Sequence, residues 1–292
     1  ADVTLDLDGT QKLINLHALT VKQPQGDLQV KGMLNLQPAF GWQLEAVANK
    51  FDPGHLLAKW NGSLDFDVAS QGTLPQDHPD VTLEIKKFDG RLRDRTVHGD
   101  GKLHLPPEGV IDGKLRLVSG GSDAQIDARP GNSNDITIKL AVASLGDWLP
   151  DAAGRLQGTI QVRGKQPKLA VEANLQGNAL SYAGQKVDTL RLLANVPDIS
   201  HPGGKLDLQT TGVDAGGLAF TQVNVKGDGT AERHSLTLSA HGSPLSTDLA
   251  LSGSLKGSAW NGTLSTLNVD LAGLPRWRLQ QSTQLGYNDG AL

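Results

Sequence analysis

The 292-residue sequence contains no cysteine and a single methionine, and only 4% of its residues are aromatic. Without thiols there is no thiolate nucleophile, no disulfide staple and no sulfur-ligated metal. With so few rings, an apolar interior must be built from Leu, Val, Ile and Ala, unlike a compact sandwich whose core recruits large aromatic side chains. The net charge of −4 is dispersed and contains no basic run. The phosphate-neutralising surface that a nucleic-acid partner requires is therefore missing. Neither a membrane-length apolar run nor a charged-then-apolar leader is present. The chain opens on Ala1-Asp2-Val3-Thr4-Leu5 with alternation already under way, which reads as a processed product or a segment of something longer.

What the sequence has in quantity is alternation. Leu64, Phe66 and Val68 interleave with Asp65 and Asp67. The same two-step pattern returns at Val81, Leu83, Ile85; Leu103, Leu105; Leu115, Leu117; and Ile136, Ile138, Leu140, Val142. It continues at Leu169, Val171; Leu190, Leu192; Leu206, Leu208; Val223, Val225; Leu236, Leu238; and Leu249, Leu251. Successive strand side chains point to opposite faces. The pattern thus predicts an all-β chain: an elongated, mostly antiparallel sheet, apolar on one face and polar on the other. The 35 glycines and 14 prolines supply its turns.

Two segments interrupt the alternation. In Asp52-Pro53-Gly54-His55-Leu56-Leu57, Asp52 is placed to cap free backbone N–H groups and Pro53 to enter a first turn, predicting one or two helical turns over residues 53–59, ended by Asn61-Gly62. A second break runs from Leu145 to Gly154, and a short echo of the first recurs at Trp260-Asn261-Gly262. These breaks divide one continuous β-structure, 1–292, into portions of about 1–50, 51–144 and 145–292. Residues 71–79, 119–134 and 197–204 read as loops.

Chemistry is sparse. His98 and His104, near Asp94 and Asp100, form the densest cluster, but Gly99 and Gly101 are expected to break the strand register there and leave a solvated hairpin. His234 and His241 flank a strand, while His17, His55, His78 and His201 stand apart. Gly99-Asp100-Gly101-Lys102, Gly203-Gly204-Lys205 and Gly227-Asp228-Gly229-Thr230 complete neither phosphate-binding pattern and read as hairpin turns. There is no nucleophile elbow and no H-E-x-x-H, and nothing nominates a pair among the scattered carboxylates. The expectation is a protein with no catalytic residues, no metal and no cofactor. Trp60, Trp148 and Trp260 read as packing anchors at the breaks. Trp42 and Trp277 are left between packing and a ligand or lipid contact.

The segments Asp52 to Asp65, Leu92 to Gly101 and Gly257 to Leu267 resemble the TamB family, an AsmA-like group, with similarity over nearly the whole chain. The resemblance implies a sheet folded lengthwise into a trough, a β-taco, with the apolar residues named above lining a lipid groove. It further implies a periplasmic conduit in a Gram-negative envelope that carries phospholipid acyl chains between inner and outer membranes and supports autotransporter assembly. An inner-membrane anchor and a TamA-like barrel partner would be engaged through regions of a longer protein. Open strand edges would also permit end-to-end self-association. The alternative from another class is a secreted or periplasmic β-solenoid scaffold or adhesin that binds carbohydrate or protein.

Overall fold

The computed structural model describes residues 1–75, 79–201 and 203–287. Among the described residues the protein is all-β, with two single-turn 3-10 segments, Pro53–His55 and Leu145–Asp147. Its contacts divide it into two units, residues 1–143 with 147–150, and residues 144–146 with 151–292.

The first unit holds β1 (Asp2–Gly9), β2 (Leu13–Lys22), β3 (Asp27–Asn35), β4 (Phe40–Phe51), β5 (Gly62–Leu74), β6 (Asp80–Leu92), β7 (Arg95–Leu105), β8 (Asp112–Ser119), β9 (Ser122–Ala128) and β10 (Asn134–Val142). Each strand pairs antiparallel with the next along the chain. The second unit holds β11 (Ala153–Lys165), β12 (Lys168–Tyr182), β13 (Gln185–Val196), β14 (Gly203–Ala215), β15 (Leu218–Thr230), β16 (His234–Ser243), β17 (Leu245–Lys256) and β18 (Ala259–Leu271). These form the same antiparallel meander, and the short β19 (Trp277–Arg278) and β20 (Thr283–Tyr287) both pair with β18. The parallel rungs of a solenoid do not occur in these pairings.

Several local expectations are corrected. The helix over 53–59 is one 3-10 turn, because the Asp52 carboxylate accepts from both Gly54 N and Gly62 N at 2.8 Å and closes the excursion before a second turn can form. Gln23 clamps the same point, donating to Asp52 O and accepting from Asp52 N. Asp52→Ala is expected to cost about 1–2 kcal/mol, the usual range for a lost cap, read as a lower urea midpoint.

Residues 119–134 are not one loop; only 120–121 and 129–133 lie outside strands. Gly120-Gly121 make a two-residue hairpin and β9 follows, its alternation masked in sequence by small residues such as Ala124 and Ala128. In the other two loop-like stretches, residues 76–78, including His78, and Pro202 lie outside the described residues. Trp260 does not mark a break, since it stands inside β18.

Ala48, Val21 and Phe51 form a small closed core beneath the Asp52 turn, with Leu28 and Phe66 against it. Other buried apolar side chains, Leu64, Val97, Ala128, Ala240 and Leu264 among them, are spread over both units. The accessible surface is 17437 Å². Even two separate compact units, each with about half of the 30.9 kDa mass, would expose only about 14,400 Å² together. Among the described residues, neither unit contains a second layer of helices or strands to cover its sheet.

Candidate functional site

The registers show which side chains share a face. In the first unit, Leu44 lies beside Gly32 and Ser70, Val68 opposite Ala46 and Ile85, and Phe66 opposite Ala48 and Phe88. Leu64 pairs with Phe51 and Gly90, Leu83 with Ser70 and Leu103, and Val81 with Gly72 and Leu105. Leu115 lies between Gly101 and Ile126, and Leu117 between Gly99 and Ala124. Ile136, Ile138 and Leu140 complete the face opposite Ala128, Ile126 and Ala124. All the predicted positions of this unit therefore share one side. Toward β1 the same face carries Val3, Leu5 and Leu7, which are 50–60% exposed.

The second unit repeats the arrangement. Val171 and Leu169 pair with Val162 and Gly164, Leu192 with Leu175 and Leu208, and Leu190 with Gly177 and Thr210. Leu206 faces Gly227, Val225 faces Leu208 and Leu238, and Val223 faces Thr210 and Ala240. Leu236 and Leu251 are partners, as are Leu238 and Leu249.

Sequence reading missed face residues wherever a bulge slips the period. Between Ile85 and Phe88 the register shifts, so Lys86 and Lys87 both project outward and Phe88 rejoins Ile85. Leu16 to Leu19 and Leu264 to Leu267 behave in the same way, since an extra residue in one strand restores the phase. For two of these bulges the signal available was a pair of polar residues between two apolar runs, Lys86-Lys87 and Ser265-Thr266, not one.

The glycine-rich pieces are also corrected. Gly99 and Gly101 lie inside β7, Gly203 and Gly204 begin β14, and Gly227 and Gly229 lie inside β15. They are strand positions, not turns. A Cβ on Gly99 would stand 2.7 Å from Leu117 Cδ2, so the missing side chain makes room for a large neighbour. Trp42 lies over Gly72 in the same way, its indole donating to Ser70 Oγ at 2.9 Å. Trp277, 65% exposed, stands opposite Val269.

The opposite face is ionic. Lys102 pairs with Glu84, Lys114 with Asp127, Arg163 with Glu172 and Lys226 with Asp207. Arg116 donates to Asp123 through Nε and Nη2 and holds that carboxyl below its ordinary pKa. Because β7 runs unbroken, His98, Asp100 and His104 keep one register, contrary to the expected hairpin. His98 sits between Asp89 at 2.6 Å and Asp100 at 3.3 Å, and its bond to Asp89 raises its pKa. His104 sits between Asp80 and Asp112. Among the described residues, no group of three or more His, Asp or Glu side chains is placed to hold a metal ion. A hollow of about 580 Å³ on the polar face of the second unit is edged by Lys205 and Lys226, which are paired with Asp228 and Asp207. No helix among the described residues is long and apolar enough to cross a membrane.

These features define a class: antiparallel sheet proteins with one apolar and one ionic face. Within it, the chain belongs to the TamB family, since residues 1–290 match the family described as TamB, N-terminal domain. A curated relative is the translocation and assembly module subunit TamB of Haemophilus influenzae, 18% identical over 276 residues. That match covers 92% of this chain and 21% of the relative, so the chain spans about a fifth of that protein's length. No solved structure matches.

Proposed function

We propose that the two apolar faces are walls for hydrocarbon, and that the chain is a non-enzymatic stretch of a periplasmic conduit carrying phospholipid acyl chains between the membranes of a Gram-negative envelope. In this reading the longer protein also supports outer-membrane protein assembly alongside a TamA-like barrel. The observation that carries it is a face with aliphatic side chains on each of ten successive strands of one unit, while cross-strand ion pairs gather on the other side. Each methylene withdrawn from water contributes roughly 0.8 kcal/mol, so a chain of about fourteen is held without any directional polar contact. A smooth aliphatic wall also lets that chain slide, because no hydrogen bond must break. The polar headgroup stays in water.

The test is direct. Protein purified without detergent is extracted with organic solvent and analysed for phospholipid, and photoreactive residues placed at Leu83 and Ile138 are assayed for lipid adducts. Both positions are expected to form adducts, while one at Glu84 on the ionic face is expected to form none. Leu83→Asp is expected to lower the Ile138 adduct roughly tenfold, because an unpaired carboxylate on an apolar wall repels a passing chain. Protein free of lipid, with no adduct at either apolar position, overturns the reading.

A further inference from the structure

One part of the second unit's apolar face is floored by backbone. Gly204 of β14 lies directly opposite Gly229 of β15, Gly229 opposite His234 of β16, His234 opposite Gly253 of β17, and Gly253 opposite Gly262 of β18. The adjoining row runs Leu206, Gly227, Leu236, Leu251 and Leu264. Where Gly204, Gly227 and Gly229 meet, the missing side chains leave a depression of about 370 Å³, walled by Val196, Leu206, Leu236, Leu251 and His234. That volume falls in the ~300–1,000 Å³ range of small-ligand sites.

The far end of the row is already filled. Cβ atoms on Gly253 and Gly262 would stand 2.5–2.7 Å from Trp260 ring atoms, so the ring fills the space that both missing side chains leave. Its indole N–H donates to His234 Nε2 at 2.7 Å. An indole nitrogen donates only, so that imidazole nitrogen carries no proton, and the proton sits on Nδ1, which donates to Thr230 O at 3.0 Å. Both ring nitrogens are satisfied in the neutral form. The imidazole therefore adds no charge to the wall while it pins the tryptophan.

We infer that this depression is a seat for one acyl chain and that Trp260 closes its end. The inference rests on the conduit reading and narrows it to a single place. Lys205, Asp228 and Ser235, which border the seat, alternate with its face residues and turn their side chains to the polar side, where Lys205 pairs with Asp228, so the walls offer only hydrocarbon, backbone and a neutral ring. Adjacent rows on one face lie about 7 Å apart along a strand. A helix with its side chains, ~10–12 Å across, is too wide for such a slot. An extended peptide laid there would bring N–H and C=O groups against aliphatic walls with no partners. A single polymethylene chain meets neither objection.

Gly227 permits a clean test. A Cβ there has no atom nearer than 3.7 Å, in ordinary contact with Leu206 and Leu236, so a larger side chain enters the depression without moving the backbone. The full chain, with a photoreactive residue at Leu251 or at Ile138, is mixed with vesicles of phosphatidylethanolamine and phosphatidylglycerol and irradiated. Gly227→Leu is expected to reduce the Leu251 adduct roughly tenfold, equivalent to about two methylenes of lost burial, and to leave the Ile138 adduct unchanged. Gly227→Ala, a milder probe if the larger residue disturbs folding, is expected to give an intermediate loss. An undiminished Leu251 adduct in both variants overturns the seat while leaving the conduit standing. Absence of adducts at both positions in the unsubstituted chain overturns both. Trp260→Ala is expected to extend adducts to a photoreactive residue at Leu264, and no extension would overturn the closed end.

Discussion

Asp147→Ala is expected to destabilise the first unit by about 2–4 kcal/mol, read as a lower urea midpoint and faster hydrogen exchange in the β8–β9 hairpin. The carboxylate is 8% exposed and accepts from Arg95 Nε at 2.5 Å and from Ser122 Oγ at 2.6 Å, while Ser119 Oγ donates to its backbone carbonyl at 2.7 Å. A Cβ on Gly120, at the hairpin tip with φ of 58°, would stand about 3.0 Å from the Asp147 carboxyl, so the missing side chain lets the tip close over it. Removing one partner of a buried ion pair commonly costs about 3–5 kcal/mol. Arg95 is 36% exposed and also donates to Arg93 O, so part of its charge is already relieved. Ser122, whose exposure is 0%, loses its bond to the carboxylate in the interior. Asp147→Asn, which can still accept one bond, is expected to fall between the two. A loss below about 0.5 kcal/mol for alanine, the level of an ordinary surface change, would mean that the carboxylate does not hold the hairpin.

Gly101→Val has a comparable expected effect for a different reason. Gly101 has φ of 131°, a region that residues with a Cβ rarely enter, and a Cβ there would stand 2.2 Å from Lys114 O and 2.7 Å from Leu115 Cα. Both obstacles are backbone of the neighbouring strand, so the β7–β8 ladder itself must yield. A cost of about 3 kcal/mol or more is expected from strain and lost pairing together. Gly99→Ala is the contrast, because there the nearest obstacle is the rotatable Leu117 side chain, and a cost of about 1 kcal/mol is expected. Equal losses at the two positions would show that the backbone conformation at Gly101 carries no special burden.

The face was readable from sequence because its period is the simplest a strand offers. Leu83 and Ile138, distant in the chain, fall on sides fixed by alternation alone, and the registers place both with their apolar neighbours. What escaped reading depends on what lies across a strand, not along it. Phe88 is hidden by a bulge, which is an agreement between two strands about counting. Gly101 and Gly229 resemble turn residues because Asp-Gly is the commonest turn pair, yet their lack of a side chain serves a neighbouring backbone that no local window contains. The Asp52 cap was legible, as its partners begin two residues away, whereas Asp147 meets Arg95 across 52 positions. The pairing of Trp260 with His234 is likewise invisible until β16, β17 and β18 lie side by side.

From β1 to β10 and from β11 to β18 the strands find their partners in the order in which they occur along the chain. Such a sheet can be laid down from its N-terminal side as the polypeptide emerges, each new strand meeting a template already in place and closing only a short loop. No segment must wait for a distant partner to be made. Its stability is then close to a sum over neighbouring pairs, so a lesion such as Gly101→Val divides a unit locally instead of dissolving it, much as a broken rung interrupts a ladder without loosening the rails beyond.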